Sequence, residues 1–194
     1  AIPGFDVVRP ADANETAVAW RTILEKKDRP AGLVLSRQNL PIWAREDIHS
    51  DTEGEKFASA EGTARGGYVM ADTEGTPDVI LIATGSEIEI ALEARHKLSE
   101  KGIAARVVSM PSREWFNEQS NEYRESVLPS SVAARVSVEA GLGMSWYDLL
   151  GSAGRAVSIE HFGASADSKT LYREFGITPE AVVTAAEESI ASVK

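Results

Sequence analysis

The stretch from Pro77 to Gly102 (PDVILIATGSEIEIALEARHKLSEKG) limits the possible folds of this chain more than any other. Val79 to Ala83 is a continuous apolar run rich in β-branched residues, the pattern of a strand buried on both faces of a parallel sheet. Thr84-Gly85-Ser86 interrupts it, and Ser86 with Glu89 has the S-x-x-E spacing of a capping box, so Ser86 is the expected N-cap of a helix. That helix carries Ile88, Ala91, Leu92 and Leu98 along one side, with Glu93 and Lys97 one turn apart on the outside. Gly102 is its stop signal. A buried strand, a Gly-Ser turn and an amphipathic helix open a parallel α/β sheet, but they do not say what the sheet is for.

The rest of the chain repeats this alternation. Phe5–Val8 and Gly32–Leu35 read as strands flanking a helix from about Ala13 to Lys27, with Asp12 and Glu15 repeating the capping logic. That helix has Ala17, Trp20 and Leu24 on one side. This β-α-β unit is too small to bury both of its faces. Tyr68–Ala71 is a short strand expected at a sheet edge. Ala105–Met110, Ala133–Ala140 and Ala156–Phe162 supply three more strands. Short helices are expected near Ser112–Phe116, Glu122–Leu128, Trp146–Leu150 and Ser168–Phe175. Thr178-Pro179 opens a last helix with Val182, Val183, Ala186, Ile190 and Val193 as its apolar stripe. The fold class is therefore α/β, a mostly parallel open sheet with helices on both faces, preceded by a β-α-β unit.

Between Ile42 and Gly62 two basic residues (Arg45, Lys56) face six acidic ones (Glu46, Asp47, Asp51, Glu53, Glu55, Glu61), and no periodicity is visible. Residues 42–67 are accordingly expected to be an acidic, solvated linker, with 1–41 and 68–194 as the units on either side.

Composition narrows the chemistry. The chain has 194 residues, 43% of them apolar, which is enough for one large domain or one domain with part of another. No run approaches the ~20 apolar residues of a membrane span. There is no cysteine, and His49, His96 and His161 never fall at metal-ligand spacing. A net charge of −10 argues against nucleic acid or an anionic membrane as partner. The opening AIPGFDVVRP has no initiator Met, no basic region and no apolar core, so it is not a signal peptide; it reads as the middle of a longer protein.

In an open α/β sheet, ligands bind beyond the carboxyl ends of the strands. At those ends stand Ser86, a candidate anion site at a helix N-terminus, and Glu139 and His161, a candidate acid/base pair if their strands are neighbours. Simple capping is the better explanation of Ser86, and a sheet-edge salt bridge or a hydrogen-bonded turn that of the other two. Arg37 directly follows a strand, and its planar fork suits phosphate.

Taken together, RPADANETAVAWR (Arg9–Arg21), LVLSRQNLP (Leu33–Pro41), PDVILIATGSE (Pro77–Glu87), ARVVSMPS (Ala105–Ser112) and YRESVLP (Tyr123–Pro129) resemble the C-terminal part of transketolase, closest to the bacterial type. VSVEAG (Val136–Gly141) and HFGASA (His161–Ala166) add to the match. Each piece alone is weak; the ordered set is specific and covers nearly the whole chain. The resemblance implies a homodimeric cytoplasmic transferase of the pentose phosphate pathway, which moves a two-carbon ketol unit from a ketose phosphate to an aldose phosphate. It also implies thiamine diphosphate and a divalent metal, magnesium or calcium, in the full-length enzyme. The family's GDG…N motif is absent here, and its cofactor-activating glutamate lies before the region matched. The resemblance thus implies the end of the pyrimidine-binding domain (1–41), a linker (42–67) and the C-terminal domain (68–194), inactive alone. It gives Arg37, in SRQNLP, the role of contacting the sugar-phosphate substrate, and no catalytic, cofactor or metal ligand besides. Ser86, Glu139 and His161 gain nothing from it, so Ser86 is expected mainly to cap. Asp167 departs from the family pattern, standing where many relatives have proline. Two alternatives remain open: a non-catalytic dimerisation or effector-binding α/β module, and the same domain of deoxyxylulose phosphate synthase or a keto-acid dehydrogenase β-subunit. SRQNLP favours transketolase over the latter pair.

Overall fold

The computed structural model describes residues 2–47 and 55–193; expectations placed on His49, Asp51, Glu53 and Gly54 lie outside the described residues. The chain begins with strand β1 (Asp6–Val8), helix α1 (Ala13–Glu25) and strand β2 (Ala31–Leu33), the two strands pairing in parallel with Val8 opposite Leu33. β2 ends sooner than its apolar run suggests: the Val34 N–H still donates to Val8 O at 2.8 Å, but Val34 and Leu35 are exposed. Asp12 caps α1, its Oδ1 accepting from the Glu15 N–H at 2.8 Å. The Ala17–Trp20–Leu24 side of α1 is the outward one, with Trp20 50% and Leu24 69% exposed. Burial falls instead on Val18, Ala19 and Thr22. A two-stranded sheet covers only one side of its helix, and here that side is shared with Trp115 from the second unit.

The second unit is a five-stranded sheet. Its elements are β3 (Tyr68–Ala71), β4 (Val79–Ala83), α2 (Glu87–Glu100), β5 (Ala105–Ser109), α3 (Arg113–Asn117), α4 (Asn121–Val127), β6 (Arg135–Val138), α5 (Tyr147–Leu150), β7 (Arg155–Val157), α6 (Ser168–Glu174) and α7 (Pro179–Val193). The strand order is β3-β5-β4-β6-β7; β3 is the antiparallel edge and every other pairing is parallel. Central β4 is wholly buried, as an all-apolar strand between two helical layers must be. Val79, Leu81 and Ala83 pack with α2 and α7, while Ile80 and Ile82 pack with Phe116, Val127 and Leu150 on the other face. Glu93 and Lys97 pair along α2 at 3.6 Å. Thr178 caps α7 through the Ala181 N–H at 3.2 Å, and Asp167 proves to be the N-cap of α6, accepting from the Thr170 N–H at 3.0 Å.

Two expectations need correction. The connector is not solvated through its described length. Arg45 and Phe57 are buried and bridge to each other, Ala58 N–H donates to Met70 O at 3.0 Å, and Ala60–Arg65 is a 3-10 helix against α1. Gly66 ends that helix at φ +81°; a Cβ there would meet Phe116 N and Ser112 O at 2.3 Å, so only glycine fits. β6 and β7 are also shorter than their apolar runs. Past Val157 one backbone bond still ties the chain to the β6 side, Ile159 N–H to Gly141 O at 2.8 Å, and the Glu160 carboxylate accepts from Gly143 N–H (2.9 Å) and Ser158 Oγ (2.8 Å).

Candidate functional site

Parallel pairing brings the carboxyl ends of β1 and β2 out side by side, so Arg9 and the Ser36-Arg37-Gln38 turn emerge at one end of the first unit. The turn is shaped locally by Ser36 Oγ donating to Gln38 O at 2.9 Å. Beyond it the chain is tied back to the start of α1. Trp43 N–H donates to Asp12 Oδ2 at 3.4 Å, and Asn14 Nδ2 donates to Trp43 O at 3.2 Å. Arg37 itself is exposed and makes no ion pair or side-chain hydrogen bond with another described residue. It is an available guanidinium on a loop whose two ends are fixed.

The crevice beyond the second sheet is already filled. It lies between β4 and β6, where the chain leaves β4 toward β5 on one side and leaves β6 toward β7 on the other, the place where an open α/β sheet normally takes its ligand. Arg9, from the first unit, enters it and pairs with Glu87 (3.3 Å) and with Glu139. Glu87 also accepts from Tyr172 Oη at 2.9 Å and from the Ala140 N–H at 3.3 Å. Burial raises the Glu87 carboxyl above its ordinary range, opposed by Arg9 and the Tyr172 hydrogen bond. The same burial, with Glu87 beside it, pushes the Tyr172 hydroxyl up. Glu139 in turn accepts from Trp146 Nε1.

Three candidates from the sequence therefore change role. Ser86 stands at the N-cap position of α2 in helical φ/ψ and makes no capping hydrogen bond; its Oγ lies 2.8 Å from Tyr172 Oη instead. The helical backbone at Ser86 points its hydroxyl away from the free N–H groups of the first turn. Glu139 and His161 do not pair. Glu139 is occupied by Arg9 and Trp146, while exposed His161 places Nδ1 2.8 Å from Phe162 O and its ring edge-on to Phe175 at 4.7 Å. The filled crevice does not favour an effector site.

A second polar cluster joins the units on the opposite side of α1's start. Buried Asp12 and Arg45 pair at 2.9 Å. Arg45 also donates to Tyr68 Oη (2.9 Å), which donates to Glu15 Oε1 (2.8 Å); Ser109 Oγ reaches the same oxygen at 2.6 Å. Ala11 N–H supplies Glu15 Oε2 at 2.8 Å. Burial raises the Glu15 carboxyl, against the hydrogen bonds from Ser109, Ala11 and Tyr68. Sequence reasoning missed Arg9, Arg45 and Tyr68. The Asp12…Glu15 spacing was a signal for the cluster, but it reads as an exposed helix start.

A doubly layered α/β domain with a β-α-β unit locked into its sheet crevice defines a two-unit α/β class. The chain belongs to the transketolase family: the profile of the transketolase-like C-terminal domain matches residues 66–178, and that of the transketolase pyrimidine-binding domain matches residues 1–42. It is 55% identical over 194 residues to the transketolase of Mycobacterium leprae, covering 97% of this chain and 26% of that protein. With the Mycobacterium tuberculosis enzyme the identity is 53% over 197 residues, covering 98% and 26%. Among solved structures it resembles the Pichia stipitis transketolase complex with sedoheptulose-7-phosphate (TM-score 0.83, 35% identity, 98% of this chain and 26% of that one). A split-gene transketolase described as an inactive β4 tetramer aligns with TM-score 0.74 and 25% identity, over 100% of this chain and 60% of its own. The chain thus spans about a quarter of the length of the curated relatives it matches.

Transketolases are thiamine-diphosphate enzymes. No group of three or more His, Asp or Glu among them is placed to hold a metal ion. The buried carboxylates at the sheet end are taken by Arg9. No described helix is long and apolar enough to cross a membrane.

Proposed function

We propose that this chain is the C-terminal part of a transketolase that passes a two-carbon ketol unit from a ketose phosphate to an aldose phosphate in the pentose phosphate pathway, with Arg37 binding the substrate phosphate. One observation carries the assignment: Arg37 is an exposed guanidinium with no side-chain partner among the described residues, on a loop fixed at both ends, at the carboxyl end of its strand. By contrast Arg9, Arg21, Arg29, Arg45, Arg95, Arg106, Arg113, Arg155 and Arg173 are all committed to carboxylates. A guanidinium fork grips phosphate through paired charge-assisted hydrogen bonds far from the reacting carbon, so its binding energy serves orientation. The sugar phosphate bound in the Pichia stipitis structure is of the class this reading requires.

In this reading residues 1–41 end the pyrimidine-binding domain, 42–67 connect, and 68–194 form the C-terminal domain. The working enzyme is a cytoplasmic homodimer, with thiamine diphosphate and its divalent metal held by other parts of it, so these residues alone are inactive. The outward apolar side of α1, at Trp20 and Leu24, agrees with a first unit that belongs to a larger sheet. In full-length enzyme, Arg37→Ala is expected to raise KM for phosphorylated acceptors roughly tenfold or more through loss of a charge-assisted contact. Steady-state kinetics with a phosphorylated and an unphosphorylated acceptor test this; an unchanged KM removes the assignment.

A further inference from the structure

We infer that Arg9 is a positioning residue for Arg37, clamping the base of the phosphate loop to the crevice of the C-terminal sheet; the inference rests on the phosphate-binding reading of Arg37. It gives that crevice a use other than ligand binding.

The clamp has a backbone half and a side-chain half. Arg9 N–H donates to Pro111 O at 2.8 Å, beyond the end of β5. Arg9 O accepts from the Gly85 N–H (3.1 Å) and from Thr84 Oγ1 (3.2 Å), beyond the end of β4. Its guanidinium holds Glu87 at the start of α2 and Glu139 at the end of β6. Gly85 turns at φ +57°, the left-handed region, and so brings its N–H to Arg9 O. The two carboxylates are themselves fixed by Tyr172, Ala140 N–H and Trp146. Arg9 is therefore held by the carboxyl ends of three neighbouring strands of one sheet.

The link to Arg37 is short. Val8, the residue before Arg9, accepts through its carbonyl from the Val34 N–H at 2.8 Å, and Val34 lies three residues before Arg37. The Arg37 side chain has no partner of its own among the described residues, so the place its guanidinium can reach depends on how the ends of its loop are held. Displacing such a group by about an ångström is enough to lower its contribution up to a hundredfold. Removing Arg9 also leaves Glu87 and Glu139 facing one crevice without their shared cation, which drives that end of the joint apart.

The test uses full-length transketolase containing this sequence, loaded with thiamine diphosphate and its metal, in wild-type, Arg9→Ala, Arg9→Lys, Glu139→Gln, Arg37→Ala and Arg9→Ala/Arg37→Ala forms. Arg9→Ala is expected to raise KM for a phosphorylated acceptor roughly three- to tenfold, with kcat and the kinetics of an unphosphorylated acceptor little changed. Arg9→Lys and Glu139→Gln should fall between it and wild type, and the latter keeps the assay open if Arg9→Ala does not fold. In the Arg37→Ala background Arg9→Ala should add nothing, because both act through one contact. Amide exchange at Val34 should speed up in Arg9→Ala whatever Arg37 binds. Equal losses on both acceptors, additive effects in the double variant, or unchanged Val34 exchange would overturn the inference. If Arg37→Ala alone leaves KM unchanged, the phosphate reading falls and Val34 exchange decides the clamp by itself.

Discussion

Glu15 shows how a single residue ties stability to pH here. It is fully buried, accepts hydrogen bonds from Ser109, Tyr68 and Ala11, and its carboxyl is raised above the ordinary value of 4.5 chiefly by burial. A raised acid binds its proton more tightly folded than unfolded. Its contribution is then complete below the unfolded value and is lost as pH rises through the folded one. Glu15→Gln removes that titration and replaces one carboxylate oxygen by an amide NH₂, so either Ala11 N–H or the Tyr68 and Ser109 hydroxyls lose their acceptor. The variant should be less stable at acid pH, by about 1–3 kcal/mol for a buried donor left unpaired. The gap between wild type and variant should narrow as pH climbs above 4.5. Urea unfolding of both proteins at several pH values measures it, and a gap that widens with pH would contradict the assignment.

At the scale of elements, the two helix starts that look alike in sequence behave differently. Asp12…Glu15 and Ser86…Glu89 both satisfy the capping-box spacing. Only Asp12 caps, and it also holds Arg45 in a fully buried pair. Ser86, in helical conformation, spends its hydroxyl on Tyr172. Asp12→Ala should therefore cost about 3–5 kcal/mol, because it strands a buried guanidinium as well as removing a cap. Ser86→Ala should cost about 1 kcal/mol or less, the value of one partly buried hydrogen bond. Denaturant midpoints of the two variants compare them directly, and equal losses would mean that Ser86 caps in solution. The spacing could not separate the cases, since the choice lies in the φ/ψ of one residue and in a tyrosine far along the chain. Periodicity served better where burial is two-sided or a stripe is long. β4, α2 and α7 stand where their patterns place them, while β2, β6 and β7 are shorter than their apolar runs. Of the proposed site, the motif alone singles out Arg37; the Arg9 lock has no such signal, because no local pattern marks an arginine whose partners lie 78 and 130 residues away.

Across the whole molecule, the acidic connector reads in sequence as a solvated linker, and the structure joins the units on either side of it at three places. Arg9 enters the crevice beside Glu87 and Glu139. Asp12 and Glu15 meet Arg45, Tyr68 and Ser109 in a buried cluster. Trp115, fully buried, donates through Nε1 to Asp6 Oδ2 at 2.6 Å and packs with Val8 and Ala19. Charge composition had no way to show this, since one buried arginine outweighs several solvated carboxylates in deciding where a segment runs. Separating the units would expose the Arg45–Asp12 pair and the Trp115 contact together, so neither joint can open without the other's cost. The first unit alone buries too little to stay folded. The 194-residue chain should then unfold in one transition, with amides of α1 and α2 reporting the same opening free energy by native-state hydrogen exchange. An α1 that exchanges at much lower free energy than α2 would show instead that the β-α-β unit unfolds by itself. The C-terminal sheet would then be no fixed mount for the loop that carries Arg37.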